Sequence, residues 1–302
     1  MRPGLVLLLF NSLATTAPAQ SPVTGRWDLT VTEGQTRWPM WLEVSEGPVF
    51  TGRLQSRSGH ALALSRLVIE GPKVRFPMPG GTPQSQAPEF AALVTGDDLL
   101  GELIHPNGTR LTVHGKRAPL LIRSGEPSWG EPIDLLAGGL GGWTVRGAYN
   151  GWVLREGELV NTPPSSDLIS RARFTDFKLH IEVNVPAAGN SGIYLRGRHE
   201  VQLQDDYGRP PYDRGMGGIY GQVRPTVQPA RPPGEWQVFE ITFIGRRVTV
   251  VLNGVTMIDR AEIPGITGGA LDSDEGAPGP IMLQGDHSGI RFRNIRVTPA
   301  RP

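Results

Sequence analysis

The side chains best able to do chemistry lie between Asn190 and Asp205, in Asn-Ser-Gly-Ile-Tyr-Leu-Arg-Gly-Arg-His-Glu-Val-Gln-Leu-Gln-Asp. Read with period two, Ile193, Leu195, Val201 and Leu203 fall on one side; Tyr194, Arg196, Arg198, Glu200, Gln202 and Gln204 fall on the other. Successive strand side chains point to opposite faces, so the segment reads as one strand with its apolar face on a core. The polar face carries forked donors, amides, a carboxyl and an aromatic in one row. Sugar hydroxyls call for that mixture, because each is both donor and acceptor and the ring faces are apolar. A merely solvated strand face is the plainer reading of the same row.

Placement ranks the proton carriers. Glu200 shares its expected face with Arg196, Gln202 and Gln204 and is the first candidate as base or metal ligand. An Arg196 neighbour would hold its pKa down, which favours binding over base chemistry. His287, just beyond the strand-like Ile281 to Gln284, is the alternative base or leaving-group acid. His199 alternates onto the apolar side and reads as a buried imidazole. His180 and Glu182 sit on a polar strand face. Tyr194 and Tyr220 could touch hydroxyls, and Trp236 could stack on a ring, although core or rim roles suit each aromatic equally. Asn190 and Ser191 lie between Gly189 and Gly192 and could shape a turn or reach substrate. Glu200 and Asp205 are five apart on one strand and so face opposite ways, which removes the carboxyl pair of ordinary glycoside hydrolysis from this segment. A pair across strands, such as Glu182 with Glu200, stays open.

The elements around these residues are strands. The chain has 302 residues with 40 Gly, 28 Pro and no Cys. Short apolar runs separated by Gly and Pro argue for an all-β protein. Residues 1–19 read as a signal peptide: Arg2, an apolar run from Leu5 to Phe10, and Ala17-Pro18-Ala19 before Gln20. That run is too short to span a bilayer, and the expected address is periplasmic or secreted. Residues 20–117 read as a small all-β accessory barrel or sandwich, with Asn107-Gly108 supplying a hairpin turn. Residues 118–131 read as a linker rich in Pro, Ser and Gly. Residues 132–302 read as a longer β unit, with alternation through Phe177 to Val183 and Phe239 to Phe243 and a hairpin at Asn253-Gly254. A net charge of +1 gives no footprint for nucleic acid. No phosphate-cradling glycine loop follows a strand, so no nucleotide cofactor is implied. Asp272-Ser273-Asp274-Glu275-Gly276 offers oxygen ligands but is too short for a dedicated calcium loop and reads as a solvated turn. Without Cys, a divalent ion such as Ca²⁺, for which Glu200 and His287 are the candidate ligands, would have only oxygen and imidazole donors.

Several ordered segments of the C-terminal unit carry a resemblance. They include Asp176-Phe177-Lys178-Leu179-His180-Ile181-Glu182, Gly189-Asn190-Ser191-Gly192-Ile193-Tyr194-Leu195-Arg196-Gly197 and Glu200-Val201-Gln202. Gly218-Ile219-Tyr220-Gly221, Gly234-Glu235-Trp236, Leu252-Asn253-Gly254, Gly279-Pro280-Ile281-Met282-Leu283-Gln284-Gly285-Asp286-His287 and Phe292-Arg293-Asn294-Ile295 follow in order. Across Leu136 to Val297 the chain resembles the 3-keto-disaccharide hydrolase family, also described as a 3-keto-glucoside 1,2-lyase and 3-keto-2-hydroxyglucal hydratase domain. The opening Leu136-Ala137-Gly138-Gly139-Leu140-Gly141-Gly142-Trp143 departs from the family's usual Phe-Asn-Gly-Lys-Asp-Leu-Ser-Gly-Trp. The resemblance implies a concanavalin A-like jelly-roll sandwich acting on 3-keto-glycosides. In such a sugar the C3 carbonyl acidifies the hydrogen on C2. One base then suffices for β-elimination of the aglycone from C1, and water addition to the 2-hydroxyglucal completes a net hydrolysis. The site must supply a base, donors for the enolate and an acid for the leaving group. Glu200, Glu182, His180, His199 and His287 are the available proton carriers; Arg196, Gln202, Gln284 and Asn190 could hold the enolate and ring hydroxyls. A separate oxidoreductase would make the 3-keto group. The opposing expectation is a noncatalytic, lectin-like carbohydrate-binding module, since fold does not fix function.

Overall fold

A computed structural model describes residues 20–80 and 86–301. The signal-peptide expectation for residues 1–19 lies outside the described residues. Nine strands between Gly25 and Arg117 form one antiparallel sheet. Its first strand, Gly25–Glu33, pairs on one side with Thr36–Ser45 and on the other with Arg110–Arg117, so the two halves of the segment meet at its start. The alternation of Trp27, Leu29 and Val31 puts those three side chains in the core with Met40, Leu42, Phe76, Phe90 and Val113. Asp98–Ile104 and Arg110–Arg117 form a hairpin whose turn holds Gly108 at φ 86°, the backbone that Asn-Gly supplies readily.

From Ile133 onward two antiparallel sheets pack face to face. One runs in the order Trp152–Arg155, Glu158–Asn161, Arg291–Pro299, Phe177–Asn184, Trp236–Ile244, Arg247–Leu252, Val255–Glu262, with Ile133–Asp134 added beside Arg291–Pro299. The other runs Trp143–Arg146, Asp167–Phe174, Gly279–Leu283, Asn190–Leu195, His199–Gln204. Leu179, Ile181, Val183, Phe239, Ile241 and Phe243 from the first sheet share one core with Ile193, Leu195, Val201, Leu203, Ile281 and Leu283 from the second. Period-two burial on both inner faces makes this a jelly-roll sandwich, as the strand pattern predicts. Among the described residues there is no α-helix, only one 3₁₀ turn at Gly139–Gly142, and no helix is long and apolar enough to cross a membrane.

The two units are fastened along a seam. Trp41 packs on Ile266 and Ala270, and Gly265 lies so close beneath the indole that a Cβ there would collide with it. Arg26 pairs with Glu262 at 2.6 Å, and the hydroxyls of Thr30 and Ser273 meet at 2.7 Å. The segment read as a linker is tied to the sandwich by an Arg123–Asp176 ion pair at 2.7 Å, an Arg246-to-Pro119 carbonyl hydrogen bond at 2.9 Å and a Trp129–Ala300 bridge. The acidic loop is no solvated turn. Asp272 accepts from Arg198 Nε at 2.6 Å, and Glu275, fully buried, pairs with Arg246.

Candidate active site

The segment expected as one strand is a hairpin. Asn190–Leu195 and His199–Gln204 are separate strands, joined by a turn in which Arg196 (φ 52°) and Gly197 (φ 68°) both occupy the left-handed region and Arg198 N–H closes on Leu195 O at 3.1 Å. Two consecutive positive φ values match the twist of a tight hairpin. The correction brings the chemistry together: Tyr194 sits directly across from Glu200, and Gly192 from Gln202, on the outer face of the smaller sheet. It also removes Arg196, whose turn conformation sends its side chain under the sheet. There its guanidinium lies 4.2 Å from the Phe243 ring centroid and donates to Gly245 O at 2.6 Å. Arg198 is likewise buried, on Asp272 and Ala277 O.

A cleft of about 220 Å³ opens over the Tyr194–Glu200 pair. Asn190, Tyr194, Glu200, Gln202, Tyr220, Gln284 and His287 line it, joined by Asp286, Gly268, Gly269, Ser58 and Gly59. Clefts of about 260 and 600 Å³ elsewhere run along the linker, lined by arginines and apolar side chains. The Glu200 cleft differs in that its floor is a buried carboxyl with no cation beside it.

Glu200 is 4% exposed. Burial pushes its carboxyl up to about 8; the Tyr194 hydroxyl opposes the rise, and the charges of Asp167 and Asp286 add to it. No cation contributes, so the depression expected from Arg196 does not arise. Gly192 is what lets the carboxyl lie flat, because a Cβ there would collide with Glu200 Oε1. The Tyr194 oxygen stands 3.0 Å from Glu200 Oε2 and 2.9 Å from Gly268 O. One hydroxyl proton cannot serve two acceptors. A neutral Glu200 resolves this by donating to the Tyr194 oxygen while Tyr194 donates to Gly268. Burial, then Glu200, raises the pKa of Tyr194, so the phenol stays protonated. Tyr220 is carried in by a loop on the edge of His199–Gln204, where Tyr220 N–H donates to Glu200 O at 3.0 Å.

The far side of the cleft is a loop tied down at several points. Asn161 donates to Gly285 O and Ser288 O at 2.9 and 3.1 Å, and Asp167 accepts from Gly285 N–H at 3.2 Å. This loop presents His287, whose Nδ1 is 2.6 Å from Asp286 Oδ1. In the neutral ring that contact favours the proton on Nδ1, which leaves Nε2 as an acceptor. Desolvation raises the pKa of Asp167 just behind. Gln202 donates from Nε2 to Asn190 Oδ1 (2.9 Å) and Gln204 Oε1 (3.1 Å), while its own Oε1 is buried without a partner. That oxygen is an acceptor in want of a hydroxyl.

Three expected site residues stand elsewhere: Arg196 as described, and Glu182 and Trp236 in the larger sheet. Glu182 accepts from Arg293 Nε (2.7 Å) and Asn294 Nδ2 (2.6 Å), and Arg293 stacks on Trp236 at 4.0 Å. The ion pairing and hydrogen bonds hold Glu182 below the usual carboxylate range despite desolvation. A hydrolytic pair of Glu182 with Glu200 is therefore absent, since the two lie in different sheets. His180 bonds Glu240, and His199 is buried against Phe243. Asp286 is not among the expected site residues; its one signal is its place next to His287. Asp167, Gly268, Gly269, Ser58 and Gly59 carried no signal, being contributed by loops distant in the chain. Among the described residues no three His, Asp or Glu side chains converge as a metal-binding set.

The chain resembles several solved structures. One is a protein of Parabacteroides distasonis described, provisionally, as a glycosyl hydrolase: 27% identical, over 60% of this chain and 96% of that one, TM-score 0.48. A carbohydrate-binding module from Bacillus subtilis is 15% identical over 51% and 93% of the two chains, TM-score 0.34. A Bacillus licheniformis β-glucanase is 11% identical over 59% and 100%, TM-score 0.34. No curated protein matches. The profile of the 3-keto-alpha-glucoside-1,2-lyase-like domain matches residues 131–298, more than half of the chain and the whole of the sandwich that carries the cleft. By that match the chain belongs to the 3-keto-alpha-glucoside-1,2-lyase-like domain family, a family of carbohydrate-acting enzymes.

Proposed function

We propose that the cleft takes the 3-keto ring of a 3-keto-glycoside and releases its aglycone by elimination, followed by hydration. The observation that carries the reading is Glu200: a buried carboxyl, neutral near pH 7, at the floor of a cleft lined by amides, hydroxyls and an imidazole. At about 220 Å³ the space is below the ~300–1,000 Å³ of drug-sized sites and suits one ring.

His287 Nε2 removes the C2 proton, and the electron pair moves onto the C3 carbonyl oxygen as an enolate. Tyr220 and the amides of Asn190 and Gln284 are the donors available to it. Collapse of the enolate restores the C3 carbonyl, forms the C1–C2 double bond and expels the aglycone oxygen, which takes the Glu200 proton. Hydration runs the same groups backward. The Glu200 carboxylate accepts a proton from water attacking C1, and protonated His287 returns a proton to C2. One water is consumed and both residues end as they began.

The 3-keto substrate comes from a separate oxidoreductase, because the chain carries no dinucleotide fingerprint. The Arg2 to Ala19 segment, read as a signal peptide, supports an address for this chemistry in the periplasm or outside the cell. A metal-assisted form of the reading sets a divalent cation on Glu200 and His287, and loss of activity on chelation with recovery on metal addition identifies it. A second reading, direct hydrolysis, rests on Asp286 lining the same cleft as Glu200. Purified protein given a 3-keto-glucoside should release aglycone, and the unoxidised glucoside should not react. Binding without turnover would make this a carbohydrate-binding module instead.

A further inference from the structure

The cleft is not built by the family domain alone. Ser58 and Gly59 belong to the N-terminal nine-stranded unit, outside residues 131–298, yet both line the cleft holding Glu200. Their loop is held in shape from within: buried Gln55 donates from Nε2 to Ser56 O at 2.9 Å and Gly59 O at 3.0 Å, and Ser56 Oγ donates to Ser58 O at 3.1 Å. It is also locked to the sandwich. Gly269 N–H donates to Arg57 O at 3.0 Å, and Gly268 lies so close to Gly59 O that no side chain fits there. Gly221 (φ 65°) is equally tight against His60, whose ring meets Tyr220 edge-on at 6.4 Å. The Gly268 that this loop abuts accepts from the Tyr194 hydroxyl that touches the Glu200 carboxyl, and Tyr220 N–H is bonded to the Glu200 main chain, whereas His287 and Asp286 come from the opposite loop.

We infer that the Ser58–His60 loop of the N-terminal unit is the aglycone wall of the cleft, and that it selects a hydroxyl-bearing aglycone, such as a second sugar. The side assignment rests on the proposed role of Glu200 as the acid that protonates the aglycone oxygen: the leaving group must lie beside that carboxyl, where the loop stands. The chemical class follows from what the loop presents. Ser58 is exposed and offers a hydroxyl, and Gly59 offers backbone, with no apolar side chain between them; His60 stands behind, its ring on Tyr220. Such a wall suits hydroxyls better than an aromatic or alkyl group. The N-terminal unit thus sets specificity for the reaction the sandwich performs.

The test compares Ser58→Ala with the wild-type full chain on two substrates, a 3-keto-disaccharide and the methyl 3-keto-glucoside. Losing a hydrogen bond to the aglycone should lower kcat/KM for the disaccharide about tenfold and for the methyl glycoside less than threefold. An equal fall on both substrates, or no fall on either, would overturn the inference. Calorimetric binding of the same two compounds to Glu200→Gln, with and without Ser58→Ala, gives a readout independent of turnover. If the wild type turns over neither compound, the catalytic reading fails, and a disaccharide-selective loss of binding would still support the aglycone wall. Equal binding losses would remove it.

Discussion

Two buried carboxyls meet the same physical force in different surroundings. Glu200 and Glu275 are both raised first by loss of water. Around Glu275, Arg246, Arg196, Arg26 and Arg198 push back, and the nearby Asp28, on the first strand of the N-terminal sheet, is raised to about 9 by burial and by Glu275 itself. That cluster is closed: Arg246 spends its other donors on Pro119 O, Ile263 O and Pro264 O. Around Glu200 there is no cation, only Tyr194 and two further acids, and the carboxyl faces a cleft. The lesson is that a displaced pKa marks chemistry only where the group also faces space and keeps a proton to give. Where cations close over it, the same desolvation makes a fastener between two units.

Breaking each site should therefore fail differently. Glu200→Gln should lower aglycone release by roughly 10²–10⁴-fold, the usual contribution of a positioned acid or base. It should not unfold the protein. The folded-state pKa of Glu200, about 8, lies above its ordinary 4.5, so the wild type loses stability as pH rises between those values. The amide has no such slope, and melting curves from pH 5 to 9 should show the variant gaining on the wild type. A variant that melts earlier at every pH would assign Glu200 to structure. Arg246→Ala should do the reverse, costing about 3–5 kcal/mol in denaturant titrations by stranding Glu275, while kcat/KM of the folded protein stays within about threefold. Next in size is the pH profile. With Glu200 as acid, kcat/KM should fall about tenfold per unit above pH 8. A rise through pH 8 would make Glu200 the base and exchange its role with that of His287. The smallest effect is expected of Asp28→Asn. The pKa of Asp28, about 9, is raised from 3.8, so its burial costs stability progressively across that window. The variant should gain stability as pH rises and keep wild-type turnover; lost turnover would join the seam to the catalytic machinery.

How far the chain could be read in advance differed between these regions for a physical reason. Side-chain alternation is local, so Ile193, Leu195, Val201 and Leu203 were assigned to the core, and Glu200 and Gln202 to the polar face, from spacing alone. Turn geometry is local too, but Arg-Gly is a weaker turn signal than the Asn-Gly at 107–108, and the period continued through it. Arg196 was misplaced for that reason: parity survives the turn for Tyr194 and Glu200 and fails for the residue at its apex. Glu182 and Trp236 alternate correctly onto a polar face, but which sheet owns a polar face depends on pairing across sequence-distant strands. The acidic loop at 272–275 looked solvated because its cations, Arg198 and Arg246, are remote in sequence. The wall at Ser58–His60 had no local mark at all. Its place beside the cleft comes from the docking of the two units, with Trp41 on Gly265 and Gly269 N–H on Arg57 O.

The central claim is that bond cleavage in the Glu200 cleft begins at C2. The most direct measurement is the competitive isotope effect on aglycone release from a 3-keto-glucoside deuterated at C2. The account predicts a normal primary effect, with an enone absorbance appearing before the hydrated sugar. Equal rates for labelled and unlabelled substrate, with the deuterium fully retained in the product and no enone, would contradict it and leave direct hydrolysis in its place.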